Sequence, residues 1–144
     1  MTENILDEVR KLCYKYYSKR NLAHVLKVEE YIMESAFYIM ADEEKRNYLR
    51  AVALAHDLLE DTECVYDQIS TLDSNLANSV LLLTNKEEDY LAYIDNILKG
   101  NDGAAILVKL YDIKDHFMRV KTLTPKLEKK YRPAAEKLLK YFNI

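Results

Sequence analysis

Two glycines and two prolines in 144 residues are too few for most β folds. Sandwiches, barrels and glycine-rich phosphate loops all need turn residues in number, so those architectures are excluded at the outset. Tryptophan is absent and cysteine occurs twice, at Cys13 and Cys64, far apart and with no C-x-x-C spacing. That rules out a zinc ribbon or thioredoxin-type motif and reads as two buried thiols in a reducing compartment. An excess of positive charge is also missing: 21 Lys+Arg stand against 24 Asp+Glu, a formal charge of −3. A general nucleic-acid binder needs the opposite balance, and no nucleic-acid partner is expected. Apolar runs such as Ala51 to Ala55 and Ala104 to Val108 are far shorter than the ~20 residues a bilayer demands, so no membrane partner is expected either. The first residues carry no basic segment followed by an apolar stretch, which predicts a cytoplasmic chain without a signal peptide.

What remains is a chain that is 49% hydrophobic and 31% charged, with helical periodicity almost throughout. Ile5, Leu6, Val9, Leu12, Cys13, Tyr16 and Tyr17 mark one face of a first helix capped by Thr2. The spacing predicts a second helix capped by Asn21, with a stripe Val25, Val28, Ile32, Ala36 and Ile39. A third begins at Asp42, with Glu43 and Glu44 in its first turn, and buries Leu49, Val52, Ala53 and Leu59. Short helices follow near Thr62 and from Ser74, and then come segments around Tyr90 to Leu98 and Ala105 to Phe117. Gly100-Asn101-Asp102-Gly103 is the clearest turn, and Thr124-Pro125 starts the last helix. The expectation is one all-α domain over residues 1–144, with seven or eight helices crossing irregularly.

Chemistry concentrates at three histidines: His24, His56 and His116. His56 and Asp57 end an apolar run, and Glu60 and Asp61 follow one turn later. On a continuous helix His56 would share a face with Glu60, and Asp57 with Asp61. Four such groups at a buried helix end are costly to desolvate unless a cation or hydrogen bonds compensate, and imidazole with carboxylate is a natural divalent-metal donor set. A bare His-Asp pair is more often a helix-end cap than a metal site. The wider pattern adds a His near the start of an early helix, His24, and an Asp within a late apolar helix, Asp112.

That order and spread, over nearly the whole chain, resembles the HD metal-dependent phosphohydrolase superfamily. Leu54-Ala-His56-Asp57-Leu-Leu-Glu60-Asp61-Thr62 resembles the H-D-x-x-E-D-T signature of the small RelA/SpoT-like (p)ppGpp hydrolases. His24-Val-Leu-Lys-Val resembles their first-His segment. Leu82-Leu-Thr84 and Tyr90-Leu-Ala-Tyr93-Ile resemble their L-T and Y-x-x-Y-I segments, and Ala105-Ile-Leu-Val108-Lys109-Leu110-Tyr111-Asp112 their A-x-x-V-K-L-A-D. The resemblance implies a guanosine 3',5'-bis(diphosphate) 3'-pyrophosphohydrolase. His24, His56, Asp57 and Asp112 would hold one divalent ion, Mn2+ in this branch. Glu60 and Asp61 would hold the nucleophilic water and shuttle protons. His116, Lys109, Tyr90 and Arg20 are candidate contacts to a small-molecule nucleotide.

The chain departs from that pattern in three places. No Pro follows His24, the usual Pro-Tyr before it is replaced by Arg20-Asn21-Leu22-Ala23, and His116 stands four residues after Asp112 where relatives carry Asn. Asn offers donor and acceptor together, whereas His is bulkier and titrates. Two other readings therefore stay open: an HD nucleotidase acting on other nucleotides or phosphate esters, and a non-catalytic nucleotide-sensing or interaction protein. Lys109 and His116 have structural alternatives as helix-packing residues. Tyr14, Tyr16 and Tyr17 read as half-buried packing, and Lys126, Lys129, Lys130, Arg132, Lys137 and Lys140 as a solvated face. A homo-oligomer is compatible with the sequence but not specified by it.

Overall fold

A computed structural model describes residues 1–119 and 124–143. Among them every regular element is helical: α1 (Glu3–Tyr16), α2 (Lys19–Glu34), α3 (Ala36–Ile39), α4 (Glu43–Ala55), α5 (Leu58–Asp61), α6 (Tyr66–Ser70), α7 (Ser74–Leu82), α8 (Tyr90–Lys99), α9 (Gly103–Met118) and α10 (Pro125–Tyr141). The all-α class expected from periodicity holds. None of these helices is long and apolar enough to cross a membrane.

Caps set most of the boundaries. Thr2, Ser18, Ser35, Asp42, Asp73, Asp102 and Thr124 each accept a backbone N–H from the first turn of the helix that follows. Two caps differ from expectation. Ser18, not Asn21, starts α2, so the second helix begins one turn earlier and Asn21 lies inside it. Asp73, not Ser74, starts α7. The apolar stripe also does not continue from Ile32 through Ala36 to Ile39. Ser35 takes an extended conformation, ends α2 and caps α3, and Ile39 is left exposed. Near Thr62 the chain leaves a helix rather than entering one, because Thr62 is the extended residue that closes α5.

Three long helices form the centre. α2, α4 and α9 pack on one another, α1 lies against α4, and α8 and α10 lie against α9. Val25, Val28 and Ile32 of α2 meet Val52 and Leu54 of α4 and Ile106 and Val108 of α9, all fully buried. Gly100 closes α8 where a Cβ would stand 2.8 Å from a Leu82 methyl carbon, so a larger residue there would make that leucine side chain shift.

One charged group is built into this frame away from the histidines. Glu29 of α2 is 6% exposed, and its Oε2 accepts from Arg10 Nη2 of α1 at 2.6 Å and from Arg50 Nε of α4 at 3.1 Å. One carboxylate thus ties three helices. Glu29→Ala leaves two guanidiniums facing each other across a buried gap. Loss of one partner of a fully buried pair costs about 3–5 kcal/mol. Because both arginines are part-exposed, we expect a loss of about 2–3 kcal/mol, measured as a lower urea midpoint with the slope unchanged.

Candidate metal centre

The α4–α5 junction is where the site begins. α4 ends at Ala55, and His56 and Asp57 form a turn before α5. The expectation of one continuous helix through this stretch, pairing His56 with Glu60 and Asp57 with Asp61 on shared faces, is therefore corrected. The break has a direct consequence. His56 Nδ1–H turns back to donate to the Ala53 carbonyl at 2.6 Å, which leaves Nε2 as the nitrogen that faces inward. His56 is 2% exposed, and its Nε2 has no hydrogen-bond partner. A buried imidazole nitrogen without a partner is costly unless something takes its lone pair.

His24 reaches the same place from α2. Its Nε2 is 2.7 Å from Asp112 Oδ1 and its Nδ1 is 2.6 Å from Asp115 Oδ2. Asp57 Oδ2 lies 3.3 Å from His56 Nε2 and 3.6 Å from His24 Nε2, and Asp112 Oδ1 lies 3.6 Å from His56 Nε2. The four residues singled out in the sequence thus come together from α2, the α4–α5 turn and α9: His24, His56 and Asp112 converge, and Asp57 lies next to both imidazoles. Bonds of about 2.1 Å place neighbouring ligands roughly 3.0 Å apart at right angles and roughly 3.4 Å apart in a tetrahedron. The separations here bracket those values. The short His24–Asp112 contact is a hydrogen bond. His24, His56 and Asp112 fit a divalent ion in donor type and spacing, and Asp57 lies beside both imidazoles.

Protonation follows from the same crowding. Burial disfavours charge on His56, but Asp57 and then Asp112 override it and push the imidazole up to about 9. His24 is likewise raised against its burial by Asp112 and Asp115. Asp112 is held well below the ordinary carboxylate range: burial opposes ionisation, while the Lys109 ammonium and the imidazoles of His116, His24 and His56 favour it. The same carboxylates that raise the two imidazoles thus favour positive charge at this point.

A supporting layer holds the four in place. Asp115 was not among the residues singled out from sequence. It is buried, three residues beyond Asp112 on α9, and takes both the His24 Nδ1–H and the Arg119 Nε–H, the latter at 2.8 Å. A carboxylate placed behind an imidazole in this way fixes the ring's tautomer and orientation. Its signal in the sequence is an acid at i+3 from Asp112 within a mostly apolar helix. Lys109 is buried, with its ammonium 2.8 Å from Asp112 Oδ2 and over the rings of Tyr93 and Tyr90. That contact occupies one Asp112 oxygen and leaves Oδ1 facing the histidines, so Lys109 acts on Asp112.

Above the donor atoms lies a cavity of about 440 Å³. All the expected substrate contacts, Arg20, Tyr90, Lys109 and His116, line it, together with Glu60 and Asp61. Glu60 Oε1 accepts the Asn85 N–H at 2.7 Å and so anchors the α7–α8 loop at the rim. Asp57, Glu60 and Asp61 form a second carboxylate group, and Asp61 is raised to about 6 by partial burial and the charges of Asp57 and Glu60. His116 stacks flat on Tyr131 at 4.7 Å and sits 3.6 Å from Asp112 Oδ1. Lys130, grouped from sequence with a solvated face, lines the cavity with its ammonium over the Tyr90 and Tyr131 rings. Its neighbours do behave as surface charges, Arg132 pairing with Glu128 and Lys137 with Asp95. A search with models of known protein families finds no match for this chain, and comparison with curated proteins finds no significant one.

Proposed function

We propose that this chain is a divalent-metal-dependent phosphohydrolase acting on a nucleotide, and that its reaction is the 3'-pyrophosphohydrolysis of guanosine 3',5'-bis(diphosphate). The metal half of this reading rests on one observation: the buried, unpartnered Nε2 of His56 converges with His24 Nε2, Asp57 Oδ2 and Asp112 Oδ1 at the floor of a polar cavity. The substrate half rests on the resemblance of the segments around His56, Tyr90 and Asp112 to the small alarmone hydrolases.

In this reading His24, His56, Asp57 and Asp112 hold the ion, Mn2+ by resemblance. When bound it lowers the pKa of a coordinated water and offsets phosphate charge. The remaining work falls to the chain's own groups. Asp115 and the Ala53 carbonyl keep the two imidazoles in the tautomers that present Nε2. Glu60 and Asp61, at the rim next to Asp57, orient the attacking water and take and return its proton. Arg20, Arg119 and Lys130 line the cavity and meet the anionic phosphates, with Arg119 already braced by Asp115. Attack of water at the ribose-proximal phosphorus of the 3' diphosphate breaks that phosphorus's bond to the ribose 3' oxygen, which leaves as the 3' hydroxyl after taking a proton, and releases pyrophosphate.

One observation favours a second substrate class. His116 stands where the family pattern has Asn, stacked flat on Tyr131 and tilted beside His24, so it offers the substrate an imidazole rather than an amide. A nucleotidase of the same chemistry would tolerate this. The two are separated by incubating the Mn2+-loaded protein with guanosine 3',5'-bis(diphosphate), a deoxynucleoside monophosphate and a deoxynucleoside triphosphate, and identifying the released anion. Pyrophosphate from the first supports the alarmone reaction. Orthophosphate from the monophosphate moves the assignment to the nucleotidase. Turnover of none of them removes the enzymatic reading and leaves a binding protein.

A further inference from the structure

Tyr17 reads from sequence as one of three clustered packing tyrosines, and the cluster divides in the structure. Tyr14 is exposed, whereas Tyr17, the residue that closes α1, is buried against the end of α4. Its hydroxyl donates to the Leu54 carbonyl at 2.7 Å and accepts the Asp57 N–H at 3.2 Å. Leu54 O also accepts from the Cys13 thiol at 3.4 Å. These are the groups a helix break exposes. In an unbroken helix the Ala53 carbonyl would receive the Asp57 N–H, and the Leu54 carbonyl the Leu58 N–H. Here Ala53 O receives the His56 ring and Leu54 O receives α1 side chains. The Asp57 carboxylate makes no capping bond to α5, so its direction is set by the backbone at position 57, where φ is −101° and ψ is 0°. The tyrosine has the right chemistry for both bonds, since a phenolic hydroxyl donates its O–H while a lone pair accepts.

From this we infer that Tyr17 is a positioning residue for the metal centre: its hydroxyl closes the α4–α5 break in the one conformation that turns the Asp57 carboxylate toward His24 and His56. The inference rests on the metal-binding reading above and adds to it a residue that touches neither metal nor substrate. Partners of this kind typically change metal affinity by about 10–100-fold.

The test is calorimetric titration of Mn2+ into the metal-free full chain, alongside its thermal unfolding. Tyr17→Phe keeps the ring and removes only the two bonds. We expect it to bind Mn2+ about tenfold or more weakly, and incorporation of p-aminophenylalanine at position 17, whose amino group still donates and accepts, to bring the affinity back to within about threefold of wild type. A lowered melting temperature with unchanged Mn2+ affinity would make Tyr17 a packing residue and overturn the inference. If Tyr17→Phe does not fold, the p-aminophenylalanine variant decides alone: affinity near that of wild type supports the inference, and a folded variant with a tenfold loss overturns it. Failure of the wild type itself to take up Mn2+ is a different result, since it removes the metal reading along with the inference.

Discussion

Asp57→Ala is expected to lose Mn2+ binding by at least about 100-fold and, with it, essentially all phosphohydrolase activity, while the metal-free protein keeps its fold. Asp57 is the ligand to choose because its removal disturbs little else. Its Oδ2 lies within 3.3–3.6 Å of the inward nitrogens of His56 and His24, and its side chain caps nothing. Asp112→Ala would be ambiguous, since it strips the buried Lys109 ammonium of its carboxylate partner, and an unpaired buried charge threatens the fold. Calorimetric titration with Mn2+ and a helical circular-dichroism spectrum of the metal-free variant check the two halves of the statement. Unchanged Mn2+ affinity in a folded Asp57→Ala protein would dismiss this cluster as the metal site. The wild type adds a pH signature. With His56 raised to about 9, a metal ion must displace a proton from its ring at neutral pH. Affinity should therefore rise as pH increases toward 9, with protons released on binding. The metal-free fold behaves oppositely. A histidine raised above its unfolded value stabilises fully below about 6.5, and that contribution is lost as pH rises through about 9.

The residues carrying this site were legible in the sequence because their types are scarce and their neighbours apolar. Three histidines in 144 residues, one beside Asp57 at the end of an apolar run, narrow the field of donors sharply. The helices were legible for a similar reason, since a 3.6-residue period survives wherever one face is buried, as along Val25, Val28 and Ile32. What could not be read is whatever depends on contacts distant in sequence. Nothing near Asp115 says that it faces His24, 91 residues away, and nothing near Tyr17 says that its hydroxyl meets Leu54 and Asp57. The break at His56-Asp57 was missed because both residues are compatible with helix, and the side chains that reward the break come from outside it. Ser18 and Ser35 defeated the boundary reading differently: each is one of several possible caps within a few residues, and packing chooses among them.

Glu60→Gln should separate chemistry from metal retention. The substitution is near-isosteric and keeps a side-chain oxygen that can accept the Asn85 N–H, so the α7–α8 loop stays anchored at the cavity rim. It adds no cost to the donor set, which Glu60 does not enter. Mn2+ affinity should therefore stay within about threefold of wild type while kcat falls by about 10²–10⁴, the range for loss of a positioned acid–base group. Glu60→Ala is the poorer test, because it also releases the loop. Glu60 further acts on Asp61, whose carboxyl is raised first by partial burial and then by the charges of Asp57 and Glu60. Neutralising Glu60 removes one of those charges and moves Asp61 down toward the ordinary carboxylate range, so the acidic limb of the residual pH–rate profile should shift to lower pH. If Glu60→Gln instead strips the metal, the carboxylate belongs to the ion, and the division of labour between the buried four and the rim pair is wrong. If it retains both metal and full turnover, the proton passes through Asp61 alone, and Glu60 is reduced to the anchor for Asn85.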